Sequence, residues 1–212
     1  MIKLEISREQ AVPEMLNSLN MQVGVEVGVF KGQFSKHLLE NWPGTLWLVD
    51  PWRAFDDTEG YIDASNHKHH QTAYTETMNR LEGYENRAFM LRGLSSDMAS
   101  RFQDGELDFV YIDGNHAYDW VKEDIALWWP KLRSGGLLMG HDYLGMPDWH
   151  QTEFMENGKD KHIWMQGPES GDQPIYAGHF GVNTAVDEFI KETGLELLVT
   201  EEWLGSWIIR KP

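Results

Sequence analysis

Apolar residues along this chain recur with two alternating periods. Short, nearly continuous apolar or β-branched runs at Val23–Val27, Thr45–Val49, Ala88–Leu91, Leu107–Ile112 and Leu137–Met139 read as strands. Between them, apolar residues return every three or four positions, as on one face of a helix. Val12, Met15, Leu16 and Leu19 mark a helix predicted from about Arg8 to Leu19, where Ser7 and Gln10 have capping-box spacing. Phe34, Leu38, Leu39 and Trp42 mark a second, and Tyr74, Met78 and Leu81 a third that stops at Gly83. A fourth carries Val121, Ile125, Trp128, Trp129 and Leu132 and is ended by Pro130 and Gly135-Gly136. Val182, Ala185, Val186, Phe189 and Ile190 form a fifth stripe, stopped by Gly194, and Leu195–Thr200 and Ser206–Ile209 are the closing strands. Such alternation predicts an α/β fold with a doubly wound, mostly parallel sheet and right-handed crossovers.

One segment breaks the pattern. Residues 144–180 have no clean period and hold Trp149, His150, Phe154, Trp164, Tyr176, His179 and Phe180. A long nonperiodic insertion in a compact domain is usually functional or disordered, and its aromatic density argues against disorder. The segment follows the carboxyl end of the fifth strand, the edge where such sheets bind ligands, so it reads as a lid over the substrate. The alternative is a contact between subunits of a homo-oligomer, because aromatic residues also mark interfaces. The whole of 1–212 is otherwise expected to be a single domain, with 1–20 as an N-terminal helical segment.

Composition narrows the partners. The formal net charge of −16 would repel a phosphate backbone over most of the surface, which disfavours nucleic acid. With no cysteine, disulfides and thiolate ligands are excluded, and any metal must be held by carboxylate, imidazole or amide groups. No run approaches the length of a membrane span, and Met1–Glu5 lacks the apolar core of a signal peptide, so a cytoplasmic protein without membrane partners is expected.

The most informative stretch is Val25-Glu26-Val27-Gly28-Val29-Phe30-Lys31-Gly32, followed by a helix and by Leu46-Trp47-Leu48-Val49-Asp50. A strand ending in glycines, a helix, and a second strand ending in a carboxylate make the first half of a nucleotide-binding βαβ unit. Gly28 and Gly32 would let the backbone approach a ligand, and Asp50 would accept hydrogen bonds from a ribose diol. Glu26-x-Gly28-x-x-x-Gly32 departs from the G-x-G-x-x-G of dinucleotide sites. An acidic residue opening the loop suits a ligand with positive charge and repels phosphate. This resembles motif I of the class I S-adenosylmethionine-dependent methyltransferases. The resemblance continues through Asp50-Pro51-Trp52, Ile112-Asp113-Gly114-Asn115-His116 and Gly140-His141-Asp142-Tyr143, from about Val23 to Thr193. It implies a seven-stranded Rossmann-like sheet with an antiparallel edge hairpin. It also implies S-adenosylmethionine as cofactor, contacted by Glu26, Gly28, Gly32, Asp50, Trp52, Ser95 and Asp113.

Asp113 and His116 leave the fourth strand together, and His141 and Asp142 leave the fifth. Carboxylate and imidazole without thiolate suit a hard or borderline divalent ion such as Mg²⁺ or Mn²⁺, which would acidify a substrate hydroxyl while His116 removes its proton. The pattern looks like the metal-dependent O-methyltransferases, above all the small branch that methylates sugar hydroxyls of macrolides. In that branch an Asp-x-x-His supplies a ligand and the base, which Asp113 and His116 match. An acidic pair after the next strand is matched by His141 and Asp142, where the branch normally has Glu first. The implied metal ligands are therefore Asp113, His141 and Asp142, and the implied catalytic pair is His116 and Asp113. The bland alternatives are that Asp113 caps its loop and that His141 is a core histidine. His67, His69 and His70 read as a solvated polar loop, and Trp128 and Trp129 as core. The function expected is methyl transfer to a small-molecule hydroxyl, on a glycan or a phenol. An NAD-dependent dehydrogenase or epimerase, or a non-catalytic nucleoside-binding protein on the same fold, are the alternatives.

Overall fold

The computed structural model describes residues 1–53, 67–144, 151–155, 161–165, 176–202 and 204–212. The first half of the chain forms β1 (Ile2–Lys3), α1 (Arg8–Ser18), β2 (Val23–Val27), α2 (Gln33–Asn41), β3 (Thr45–Asp50), α3 (His67–Arg80) and β4 (Ala88–Arg92). The second half forms α4 (Ser95–Ala99), β5 (Leu107–Ile112), α5 (Tyr118–Trp128) and β6 (Leu132–Leu144). It continues with β7 (Gln151–Met155), β8 (Lys161–Met165), β9 (Tyr176–Phe180), α6 (Val182–Thr193), β10 (Leu197–Val199) and β11 (Leu204–Arg210).

The main sheet has eight strands in the order β1-β10-β11-β6-β5-β2-β3-β4. Strands β6, β5, β2, β3 and β4 run parallel, and β11 is antiparallel to both β10 and β6. The predicted parallel sheet and its antiparallel edge hairpin are both there. The strand beyond the expected seven is Ile2–Lys3, parallel to β10 and too short to carry a period. A second correction concerns the insertion. It contains a separate three-stranded antiparallel sheet, β7-β8-β9, whose five-residue strands of mixed composition give no period-2 signal. Trp149, and the question of what the insertion covers, lie outside the described residues.

Burial explains the periods. On β5, Val110 and Ile112 pack with Val121, Ile125 and Trp128 on one face. Phe109 and Tyr111 pack with Leu16, Leu38 and Trp42 on the other. With both faces covered by helices, the strand must be apolar throughout. Trp128 is fully buried, and half-buried Trp129 meets Phe189 edge-on at 5.0 Å, so both belong to the core as expected. Ser7 takes the N-cap of α1 without a side-chain bond to the helix backbone; the Glu202 carboxylate accepts from the Arg8 backbone N–H at 3.0 Å instead. Among the described residues, no helix is long and apolar enough to cross a membrane.

Candidate active site

Strands β2 and β5 are neighbours although the chain leaves the sheet in opposite directions from them, so a crevice opens at their carboxyl ends. Glu26 lies there with 1% exposure, and its carboxylate accepts the Ser35 hydroxyl at 2.5 Å. Burial pushes its pKa up to about 8, against the opposing pull of the Ser35 bond. The loop that follows turns through left-handed conformations at Gly28, Phe30 and Gly32, with φ of 87°, 51° and 69°. Its amides face inward. Gly28 N–H donates to Val49 O, Val29 and Phe30 N–H donate to Asp50 Oδ2 at 3.0 and 2.9 Å, and Gly32 N–H donates to Val29 O.

Asp50 is buried, and besides those two amides it accepts the Trp52 N–H at 2.6 Å, so its carboxylate also clasps the loop. Trp52 is fully buried and donates its indole N–H to Phe30 O at 2.8 Å, which wedges it beneath the loop. At Gly28 an added Cβ would lie 2.1 Å from the Asp113 carbonyl oxygen, and at Gly32 2.9 Å from Thr77 Cγ2. The chain's own packing already disfavours a side chain at both positions. Ser95 opens α4, but its hydroxyl donates to Asp124 and accepts the Trp128 indole N–H at 2.8 Å, so its Oγ is engaged within the fold.

Across the crevice, Asp113, His116, His141 and Asp142 do come together. His116 Nε2 is 2.9 Å from Asp142 Oδ2 and 3.8 Å from Asp113 Oδ1. His141 Nδ1 is 3.4 Å from Asp142 Oδ2 and 3.8 Å from Asp113 Oδ1. Consecutive residues of a regular strand point to opposite faces, so His141 and Asp142 should not share a cluster. A β-bulge resolves this. Tyr143 pairs with Gly205 and Gly140 with Trp207, so the two residues His141 and Asp142 oppose Ser206 alone. Asp142 takes φ 61°, a conformation that asparagine and aspartate tolerate better than most residues and that is otherwise strained. The bulge swings its carboxylate to the same side as His141.

Charge in the cluster is unevenly shared. Burial would lower the pKa of His116, but the Asp142 and Asp113 carboxylates outweigh it and raise the pKa to about 10. Burial would likewise raise Asp142, and His116 and His141 instead hold it well below the usual carboxylate range. The two carboxylates thus favour the imidazolium form of His116.

A metal ion fits the donor set. One ligand atom each from Asp113, His141 and Asp142 lies within 4.8 Å of the others. Ligands bound at about 2.1 Å in an octahedron stand about 3.0 Å apart when adjacent and about 4.2 Å apart when opposite, so shifts below 1 Å would close the site. Two carboxylates and an imidazole suit Mn²⁺ better than Mg²⁺. The histidines expected on a polar loop are instead at the start of α3: His70 is buried, and the His69 ring lies 5.3 Å from that of Phe30. Sequence reasoning missed Arg8. Its Nη1 donates to Asp113 Oδ2 at 3.2 Å and to the Tyr111 hydroxyl at 3.3 Å. It also missed Asn115, whose Oδ1 accepts the Ala117 N–H while its buried Nδ2 has no partner among the described residues.

Comparison with known proteins decides the family. A family model described as a methyltransferase domain matches residues 23–143, the span that holds both halves of this crevice. The chain belongs to that methyltransferase family. The uncharacterized protein y4gI of Sinorhizobium fredii is 27% identical over 112 residues, 53% of this methyltransferase and 10% of that protein. The chain thus spans about a tenth of the curated relative it matches. A Staphylococcus aureus structure with a provisional caffeoyl-CoA O-methyltransferase assignment superposes with a TM-score of 0.62 at 15% identity, covering 96% of this chain and 82% of its own. The Bacillus cereus O-methyltransferase, solved with S-adenosylhomocysteine (SAH), gives 0.58 at 11% identity, with 96% and 80% covered. At such identities these two share the fold.

Proposed function

We propose that this methyltransferase transfers the methyl group of S-adenosylmethionine to a hydroxyl of a small molecule, with a divalent ion and His116 preparing the acceptor. The observation that carries the reading is the pairing of two subsites across the β2–β5 crevice. One is the buried Glu26 beside an inward-turned loop; the other is the bulge-aimed cluster of Asp113, His116, His141 and Asp142. Bound S-adenosylmethionine supplies a sulfonium-activated methyl, so the chain's residues need only hold and deprotonate the acceptor. Glu26 meets the cofactor's ammonium, which favours its ionised form. Asp113, His141 and Asp142 would hold the ion, whose charge would acidify a hydroxyl and offset the carboxylates that favour protonated His116. Neutral His116 Nε2 then accepts the hydroxyl proton.

The inward-facing amides of Gly28, Val29, Phe30 and Gly32 argue against the dehydrogenase alternative, because a pyrophosphate needs such donors free. A pure binding module would have no need to assemble Asp113, His116 and Asp142 in one cluster. An acidic protein with this pocket suits a neutral glycan or a phenol as acceptor. The test is calorimetric titration with SAH and with NAD, followed by turnover assays with catechol and a neutral glycoside. SAH should bind and NAD should not. Turnover should vanish in EDTA and return better with Mn²⁺ than with Mg²⁺. His116→Ala should abolish turnover while leaving SAH affinity near normal. Full turnover in EDTA would remove the metal, and full turnover in His116→Ala would remove the base.

A further inference from the structure

The cofactor reading leaves one half of a zwitterion without a partner. The amino-acid tail of S-adenosylmethionine carries an ammonium and a carboxylate on one carbon, so a pocket that takes Glu26 to the first is well served by a cation for the second. Other cations around the loop are engaged elsewhere: Lys31 pairs with Glu76, Arg80 donates to Lys31 O, and Arg92 donates to Pro51 O and Trp52 O.

Arg8 is placed differently. It is the first residue of α1, and its guanidinium lies 4.6 Å from the centre of the Phe34 ring on α2. Nη1 reaches Asp113 Oδ2 and the buried Tyr111 hydroxyl, which is itself bonded to Ser206 Oγ at 2.7 Å. Nε donates to Glu9 at 3.3 Å, while Nη2 donates to no group among the described residues. The side chain is 20% exposed, and it is near enough to Glu26 to draw that carboxyl toward ionisation. A mostly buried guanidinium with a free edge is a ready fork for a carboxylate.

We propose that Arg8 binds the carboxylate of the cofactor's amino-acid tail, opposite Glu26, which takes the ammonium. This rests on the S-adenosylmethionine reading above. Arg8 keeps its bond to Asp113 in doing so. Asp113 then stands between two subsites, its Oδ2 toward the cofactor tail and its Oδ1 toward the two histidines.

Calorimetry on the full chain with three probes tests the proposal: SAH, its decarboxylated analogue, which keeps the amine, and 5′-methylthioadenosine, which lacks the whole tail. The parent should bind SAH about 10- to 100-fold more tightly than the decarboxylated analogue, the range for a charge-assisted hydrogen bond. Arg8→Met keeps an apolar stem against Phe34 without the charge. It should erase that preference and leave 5′-methylthioadenosine affinity unchanged. Arg8→Lys should restore part of the preference. Equal affinity of the parent for SAH and the decarboxylated analogue would overturn the proposal without any variant, so it stays testable if Arg8→Met does not fold. Equal weakening of all three probes in Arg8→Met would overturn it too, leaving Arg8 as a support for Asp113. A parent that binds none of the three overturns the cofactor reading itself, an outcome distinct from both.

Discussion

Replacing Gly28 by alanine tests whether the loop after β2 is shaped by its own chain. The residue has φ 87°, and a Cβ there would sit 2.1 Å from the Asp113 carbonyl oxygen and 2.5 Å from the Gly114 amide nitrogen. Non-bonded carbon needs more than about 3 Å from such atoms, so one backbone must retreat by roughly 1 Å. The left-handed conformation alone costs an alanine about 1–2 kcal/mol. Forcing apart a packed contact adds about 1–3 kcal/mol. The sum, about 2–5 kcal/mol, corresponds to a Tm loss of roughly 4–20 °C for a chain of this size. Gly83 supplies the control, because its φ is 92° but nothing among the described residues lies within 4 Å of an added Cβ. Gly83→Ala should lose only the conformational part, about 1–2 kcal/mol. Thermal unfolding of both variants without ligand isolates the contact by difference, and Mn²⁺ titration of Gly28→Ala should show weakened binding because Asp113 has moved. Equal Tm losses in the two variants would refute the reasoning.

Two further predictions concern charge. Glu26 has a folded pKa near 8 against 4.5 when unfolded, so the native state keeps a proton that the unfolded chain releases. Its contribution is therefore full below pH 4.5 and is lost as pH rises through about 8. Glu26→Gln removes that dependence, and denaturant melts should show the variant gaining on the parent between pH 5 and 8; a constant difference across that range would contradict it. His141→Glu adds a carboxylate to the metal cluster and should raise Mg²⁺ affinity more than Mn²⁺ affinity in calorimetry. An unchanged preference between the two ions would exclude residue 141 as a ligand.

Much of the fold was legible because a sheet covered on both faces forces continuous apolar runs, and each covering helix shows a 3.6-residue stripe. Leu107–Ile112 and Val23–Val27 were readable to the residue for that reason. Ile2–Lys3 and the strands at 151–155, 161–165 and 176–180 were not, since short strands of mixed composition carry no period.

For the site, local spacing determined which residue types leave which strand: Glu26 and the glycines after β2, Asp113 and His116 after β5, His141 and Asp142 on β6. Parallel neighbours in a doubly wound sheet must then bring those strand ends to one edge. What the side chains do there was decided only in three dimensions. The bulge against Ser206 depends on register with β11, more than sixty residues further along the chain, and it alone puts His141 and Asp142 on the same side. Arg8 reaches Asp113 because α1 packs over α2, a contact between residues 105 positions apart. Asp50, Trp52 and Gly28 read as a binding loop in sequence, and that they also clasp, wedge and closely approach the chain itself is visible only in the positions of the Val29 and Phe30 amides and of the Asp113 carbonyl.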